Sequence, residues 1–415
     1  MKTAAVITIG DEVLIGQVVN TNAAFIGQRL SEIGIDIIRT VVVGDDYDEI
    51  MSAFDEYYSR YEVVLVTGGL GPTHDDITKK VVADFFKAKL VMNDAVLENV
   101  KERLLKRNIP VKQVNRDQAL VPEGCTVLMN HWGTAPGMLF DRGGKFFVVM
   151  PGVPHEMQNL MTEYVIPRLK DKGSGQVIRH RVLKTTGIAE SSLFELLGNL
   201  DEILGGKAKL AFLPSQFGVR LRITVKAKSE EEADAIASGV EARIRSKAEK
   251  FIYSGGEVEL EEAVGKLLKE KNLRIAVAES CTGGYISHRL TNISGSTAYF
   301  ERGVVTYSNA AKTDLLHVPA ELIESHGAVS EEVAHAMAEG VRAISGADIG
   351  ISVTGIAGPT GGTQEKPVGL VYVGLSDAAG TIVKKFFFPD ERLRFKDRTS
   401  QAALELVRRR ILRLT

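Results

Sequence analysis

The run Leu273-Arg274-Ile275-Ala276-Val277 breaks directly into Ala278-Glu279-Ser280-Cys281-Thr282-Gly283-Gly284, and residues 285–290 can continue as a helix. A short, largely apolar run predicts a buried strand. A hydroxyl therefore sits where a strand turns into a helix, the building unit of an α/β domain. Groups at such a turn point out of the fold, and a helix N-terminus favours developing negative charge. Two readings are open. Either Ser280 is a nucleophile, with amides of Thr282, Gly283 and Gly284 as oxyanion or phosphate donors, or it only caps the helix.

The amino-terminal part repeats this alternation. Its pattern predicts strands over 3–9, 35–43, 62–67 and 145–150 and helices over 22–33, 46–60 and 76–86. That order implies a parallel sheet covered on both faces, with ligands at the carboxyl ends of its strands. Three loops stand there: Gly10-Asp11-Glu12, Gly44-Asp45-Asp46, and Gly68-Gly69-Leu70-Gly71-Pro72-Thr73-His74-Asp75-Asp76. Gly68, Gly69 and Gly71 let amides approach an anion, Thr73 adds a hydroxyl, and Asp75 and Asp76 open a helix. No glycine stands three residues after Gly71 and no Gly-Lys-Ser/Thr occurs, so this is neither a dinucleotide fingerprint nor a P-loop. Glycines with acids from several strand ends can hold a divalent metal against a pyrophosphate. The same residues also suit a plain tight turn before a helix. His155-Glu156 lacks any HExxH partner and is expected to start a helix without a metal role.

Lys172-Gly173-Ser174-Gly175 predicts a linker. After it, strands over 177–186, 210–212 and 219–227 and helices from 189 and over 229–250 make a small α+β module. Arg179, Arg181, Lys184, Arg220, Arg222, Lys226 and Lys228 alternate along these strands. With no Gly-x-x-Gly clamp and few aromatics, the expectation is the solvated face of a half-buried sheet, used for scaffolding or dimer contacts rather than nucleic acid.

In the carboxyl-terminal part, a strand over 303–307 ends at Tyr307, and Ser308-Asn309 caps a helix that carries Lys312 in its first turns. Both should reach the rim occupied by Ser280. A cation is disfavoured at a helix N-terminus, so Lys312 either pairs with an anion, sits partly neutral, or is simply exposed. A neutral amine beside a serine hydroxyl can take its proton. A strand over 349–354 ends in Thr354-Gly355-Ile356-Ala357-Gly358, suited to a phosphate or a carboxamide. A hairpin over 369–388 follows, then a last helix from Asp390, where Arg394 could clamp a phosphate or face Asp397 or Glu405.

At 415 residues the chain needs two or three domains. Its 44% hydrophobic and 25% charged content are those of a soluble globular protein, and a net charge of −2 gives no general pull toward nucleic acid or anionic membrane. Cys125 and Cys281 stand in no metal spacing and point to a reducing, cytoplasmic setting. No apolar run approaches a membrane span.

The motifs named from Gly10-Asp11-Glu12 to Pro151-Gly152-Val153-Pro154-His155-Glu156-Met157, with Asn20-Thr21-Asn22 and Ala135-Pro136-Gly137, resemble the molybdopterin-binding-like domain of the CinA family (competence/damage-inducible protein A). The Ser280 turn, Val305-Thr306-Tyr307-Ser308-Asn309 with Lys312, Val353 to Pro359 and Pro367-Val368-Gly369 resemble that family's carboxyl-terminal domain. The resemblance implies three α/β and α+β domains: a molybdopterin-binding-like domain over 1–170, a KH-like module over 171–256, and an amidohydrolase domain over 257–415. It implies that the last converts nicotinamide mononucleotide to nicotinate mononucleotide and ammonia without a cofactor. Ser280, Tyr307, Lys312 and Arg394 would be catalytic, and Thr282, Gly283, Gly284, Thr354, Gly355 and Gly358 would bind substrate. The first domain would hydrolyse ADP-ribose with a divalent metal (Mg, Mn or Co), with or without a monovalent cation. Gly68, Gly69, Gly71, Thr73, Asn22 and Gly152 would bind that substrate, and Asp11, Glu12, Asp46, Asp75 and Asp76 the metal. A homodimer is expected. The competing readings are a non-enzymatic adaptor in competence or DNA damage, or a molybdopterin-binding protein.

Overall fold

The computed structural model describes residues 3–73, 76–170 and 177–414. The Lys172 to Gly175 linker and Asp75 lie outside the described residues. The chain divides into two compact units, residues 1–179 with 225–235, and residues 180–224 with 236–415.

The first unit is built on β1 (Thr3–Ile9), β2 (Asp36–Val43), β3 (Val63–Thr67), a short pair β4 (Leu90–Met92) and β5 (Leu120–Pro122), then β6 (Thr126–Leu128), β7 (Gly137–Arg142) and β8 (Lys145–Met150). The main sheet runs β2-β1-β3-β8-β7-β6. Its first four strands are parallel, but β7 and β6 are antiparallel, so the sheet is mixed and not wholly parallel as expected. Alternation along each strand feeds two cores. Ala4, Val6, Val63 and Leu65 pack with Ile26 and Leu30 of the helix Thr21–Glu32 and Met157 and Leu160 of the helix Pro154–Leu160. On the other face Ile7, Val64 and Val66 meet Ile50 and Phe54 of the helix Tyr47–Arg60 and Val81 and Val82 of the helix Thr78–Phe85. Each such fully buried side chain contributes ~1.5–3 kcal/mol.

A second sheet orders β9 (Val177–Thr185), β10 (Ala208–Ser215), β11 (Gly218–Ala227) and β12 (Ile252–Gly255) as β10-β11-β9-β12. Arg220, Arg222, Lys226 and Lys228 are exposed, as expected of the solvated face of a half-buried sheet, while three other cations of the set are engaged by acids. Arg179 pairs with Asp234 at 2.9 Å and Arg181 with Glu241 at 3.1 Å, both acids lying on the helix Glu230–Ala248. Lys184 is buried, donating to the Glu257 carbonyl and the Glu259 carboxylate.

The third sheet comprises β13 (Ile275–Glu279), β14 (Phe300–Val305), β15 (Ile349–Gly355), β16 (Leu370–Asp377) and β17 (Gly380–Phe387), in the order β14-β13-β15-β16-β17. The first three strands are parallel, and the last two form the expected antiparallel hairpin. The helices Leu260–Glu270 and Arg392–Ile411 cover one face through Val264, Leu268, Phe395 and Leu404. The helix Glu331–Ser345 covers the other through Val333, Met337 and Val341. With both faces sealed, the carboxyl ends of β13, β14 and β15 are left as the open rim. Among the described residues no helix is long and apolar enough to cross a membrane.

Candidate active sites

Strand β13 runs two residues further than its apolar run suggests, so Glu279 ends the strand and Ser280 opens the turn. The Ser280 amide donates to the Val353 carbonyl of β15 at 3.1 Å, which fixes the start of the turn against the sheet. From the neighbouring strand, Ser308 caps the helix Asn309–Leu316 by accepting from the Ala311 amide. Lys312 follows and is only 1% exposed. Its Nζ donates to the Thr306 carbonyl at 2.9 Å and the Tyr307 carbonyl at 3.4 Å, and lies 3.2 Å from Ser280 Oγ. No carboxylate lies within ion-pair distance of it among the described residues. Burial therefore lowers the Lys312 pKa, with the nearby Cys281 thiol opposing weakly. Of the three possibilities for this lysine, exposure is ruled out and no carboxylate partner is found among the described residues, and burial favours the neutral amine. Cys281 points into the core as expected, and burial pushes its thiol up to about 12.

The helix end behind Ser280 is already occupied, contrary to expectation. The fully buried Glu279 carboxylate accepts from the amides of Gly284, Ile286 and Ser287 and from the Ser287 hydroxyl, at 2.8–3.0 Å. The Gly283 amide donates to the Ser280 carbonyl at 3.1 Å. Gly283 and Gly284 thus shape the turn, both at positive φ, and do not offer free donors. The amides of Cys281 and Thr282, in the same turn, have no backbone acceptor among the described residues.

In the first unit, the loops after β1, β2, β3 and β8 enclose a cavity of about 430 Å³ lined by Glu12, Asp45, Gly68, Gly69, Gly71, Thr73, Asp76, Gln118, Gly152 and Glu156, among others. Burial holds the Asp45 carboxyl above the usual range, and the Asp11, Glu12 and Asp76 charges push the same way against a hydrogen bond from the Asp11 amide. Gly68 and Gly69 are required by space as well as by positive φ: a Cβ at Gly68 would meet the Ile9 carbonyl oxygen at 2.0 Å, and one at Gly69 the Thr78 hydroxyl at 2.0 Å. The Gln118 side chain, 3% exposed, leaves its Oε1 without a partner among the described residues.

Residues 257–411 match the family described as CinA C-terminal domain, 5–171 the probable molybdopterin binding domain, and 180–254 the damage-inducible protein CinA KH domain. A CinA-like protein of Chloroherpeton thalassium is 47% identical over 98% of both chains. The chain belongs to the CinA family. A CinA-like protein of Salinibacter ruber is 46% identical over 98% of both chains. The crystal structure of the competence/damage inducible protein CihA from Agrobacterium tumefaciens is 40% identical, covering 36% of this chain and 91% of that one, with a TM-score of 0.35 that carries no argument about the site.

Within the CinA carboxyl-terminal domain, three predicted residues play other parts. The Tyr307 side chain is 62% exposed, and its hydroxyl accepts from Arg392 at 3.1 Å; its backbone carbonyl, not its phenol, touches Lys312. Arg394 lines a separate cleft, and Arg392, also bonded to the Gly358 carbonyl, is the arginine at this rim. Thr354 is buried and donates to the Ala328 carbonyl at 2.7 Å, so its hydroxyl holds the loop before the helix Glu331–Ser345. Gly355 closes β15 beneath it.

The molybdopterin-binding-like domain needs similar corrections. Asp46 accepts from the Asp48 and Glu49 amides as a helix cap, and its neighbour Asp45 faces the cavity instead. Asp11 does not line the cavity but exchanges hydrogen bonds with Asp45. Asn22 donates to the Gly152 carbonyl at 2.7 Å and braces that loop, while Thr73 donates to Asp76. Glu156, expected only to start a helix, reaches the cavity and accepts from Asn130 at 2.6 Å. Among the described residues, no three His, Cys, Asp or Glu side chains converge as a ready metal site.

Proposed function

We propose that the carboxyl-terminal domain is a serine–lysine amidohydrolase that deamidates nicotinamide mononucleotide. The observation that carries this reading is the buried, charge-unpaired Lys312 amine 3.2 Å from the Ser280 hydroxyl. Lys312 Nζ takes the Ser280 proton as Oγ attacks the carboxamide carbon, and the carbonyl becomes an oxyanion beside the Cys281 and Thr282 amides. The resulting ammonium returns its proton to the departing nitrogen, releasing ammonia. Water, deprotonated by the same amine, then hydrolyses the acyl-serine to nicotinate mononucleotide. Arg392 supplies the positive charge at the rim for the substrate phosphate. Ser280→Ala should abolish ammonia release while Cys281→Ala retains it; the reverse outcome would transfer the nucleophile to the thiol.

We further infer that the first domain hydrolyses ADP-ribose to AMP and ribose 5-phosphate. The supporting observation is a glycine-walled cavity ringed by Glu12, Asp45, Asp76 and Glu156, whose crowded charges suit a cation. Glu12, Asp45 and Asp76 line that cavity without converging on one point, so a divalent ion would need the substrate phosphates to complete its shell, and when bound it would polarise the pyrophosphate. This chain's own part is to present loop amides to the phosphates and keep Asp45 poised. Product formation should stop with excess chelator, and product formed in its presence would refute the metal requirement.

A further inference from the structure

One cleft of the second unit lies away from Ser280. It encloses about 1010 Å³ between the loops around Gly187 and Phe217 and the β17 end and long helix of the carboxyl-terminal domain. We propose that this cleft binds a nucleoside phosphate, at a site separate from both candidate active sites.

Three features point to that chemistry. Phe217, Phe386 and Phe388 are among its walls, and the Arg398 guanidinium lies 4.5 Å over the Phe388 ring, a flat cationic surface on which a planar base can stack. Its cations are unequally used. Arg398 is paired with Asp390 at 2.8 Å, whereas Lys384 and Arg394, both exposed and lining the cleft, have no ion pair or hydrogen bond among the described residues. Two unpaired cations beside aromatic rings recognise an anion attached to a flat ring, which is what a nucleotide is. Its floor is rigid. Gln401 donates to the Thr186 hydroxyl and the Phe217 carbonyl, and buried Glu405 is held by Arg408, so the shape is preformed.

The full chain titrated with a fluorescent N-methylanthraniloyl derivative of ATP, in excess chelator, tests this. We expect saturable binding in the wild type, unchanged in Ser280→Ala and in Asp45→Asn, and weakened at least tenfold by Lys384→Ala and by Arg394→Ala separately. Both positions are exposed, so neither substitution threatens folding; circular dichroism checks this. Binding that ignores both substitutions, or that falls with Ser280→Ala or Asp45→Asn, would overturn the proposal. Since Ser280→Ala is part of the assay, failure here leaves the amidohydrolase reading to its own ammonia measurement.

Discussion

Lys312 is where a single side chain carries most of the chemistry. Burial lowers its pKa below the 10.5 of an ordinary lysine, so its neutral fraction grows with pH. The logarithm of kcat/KM for deamidation should therefore rise with unit slope and level off below that value. A plateau only above it would remove the general-base role. Because the unfolded lysine binds a proton that the folded one gives up between those two pKa values, folding stability should also rise with pH across that window. Asp45 has the opposite sign. Its folded pKa is raised above 3.8, so its contribution to stability is present at low pH and lost as pH climbs through the folded pKa. Asp45→Asn should accordingly raise the melting temperature at neutral pH in chelator while shrinking the gain produced by added manganese. Differential scanning fluorimetry reads both. Sequence pattern brought Ser280 and Lys312 to one rim correctly, because Ser280 follows directly on an apolar strand and Lys312 lies in the first turns of a helix that Ser308 caps just past the next strand. It picked Asp46 where the structure lines the cavity with Asp45: adjacent residues face opposite ways, and only backbone geometry shows which of two acids turns back to cap the helix.

At the scale of the element, the turns are held by groups their motifs do not advertise. Glu279 stands in an otherwise apolar strand, and its partners are amides that exist as donors only once the chain has turned. Glu279→Gln should cost about 1–3 kcal/mol, because a buried set of donors loses its charged acceptor. Ammonia release should fall with it, since the Ser280 turn rests on that anchor; unaltered kinetics would make the anchor purely structural. In the first unit, Gly68→Ala forces a Cβ against the Ile9 carbonyl and strains a positive φ, with an expected loss of about 1–3 kcal/mol in urea titration. The glycines of that loop were legible for the right reason. The arginines of the last helix were not. Arg392 and Arg394 are two residues apart, about 200° around a helix, so they serve different surfaces. Nothing in a linear pattern says which faces the rim.

Across the whole second unit, the KH-like module and the carboxyl-terminal domain are joined through the long helix Arg392–Ile411. Arg408 is buried, pairs with Glu405 at 2.7 Å, and donates to the carbonyls of Lys250 and Ile252. Arg408→Ala should destabilise this unit by about 3–5 kcal/mol, because it takes the donor from two carbonyls and leaves the buried Glu405 carboxylate with the longer Arg409 contact at 3.8 Å. A calorimetric scan that kept its transition unchanged would mean the junction is held by apolar packing alone. The three-domain order was readable from strand and helix periodicity, but the mixed sheet was not. Strand β6 is only three residues long, and antiparallel pairing leaves no crossover helix in the sequence to announce it.

The carboxylate sealed beneath the Ser280 turn has a practical corollary for inhibitor chemistry. A warhead that arrives with a permanent negative charge, such as a phosphonate, would feel the repulsion of Glu279 from behind the turn. An aldehyde, uncharged until the serine oxygen adds to it, would avoid the opposition of a carboxylate that already takes the Gly284, Ile286 and Ser287 amides, and should be the better starting point.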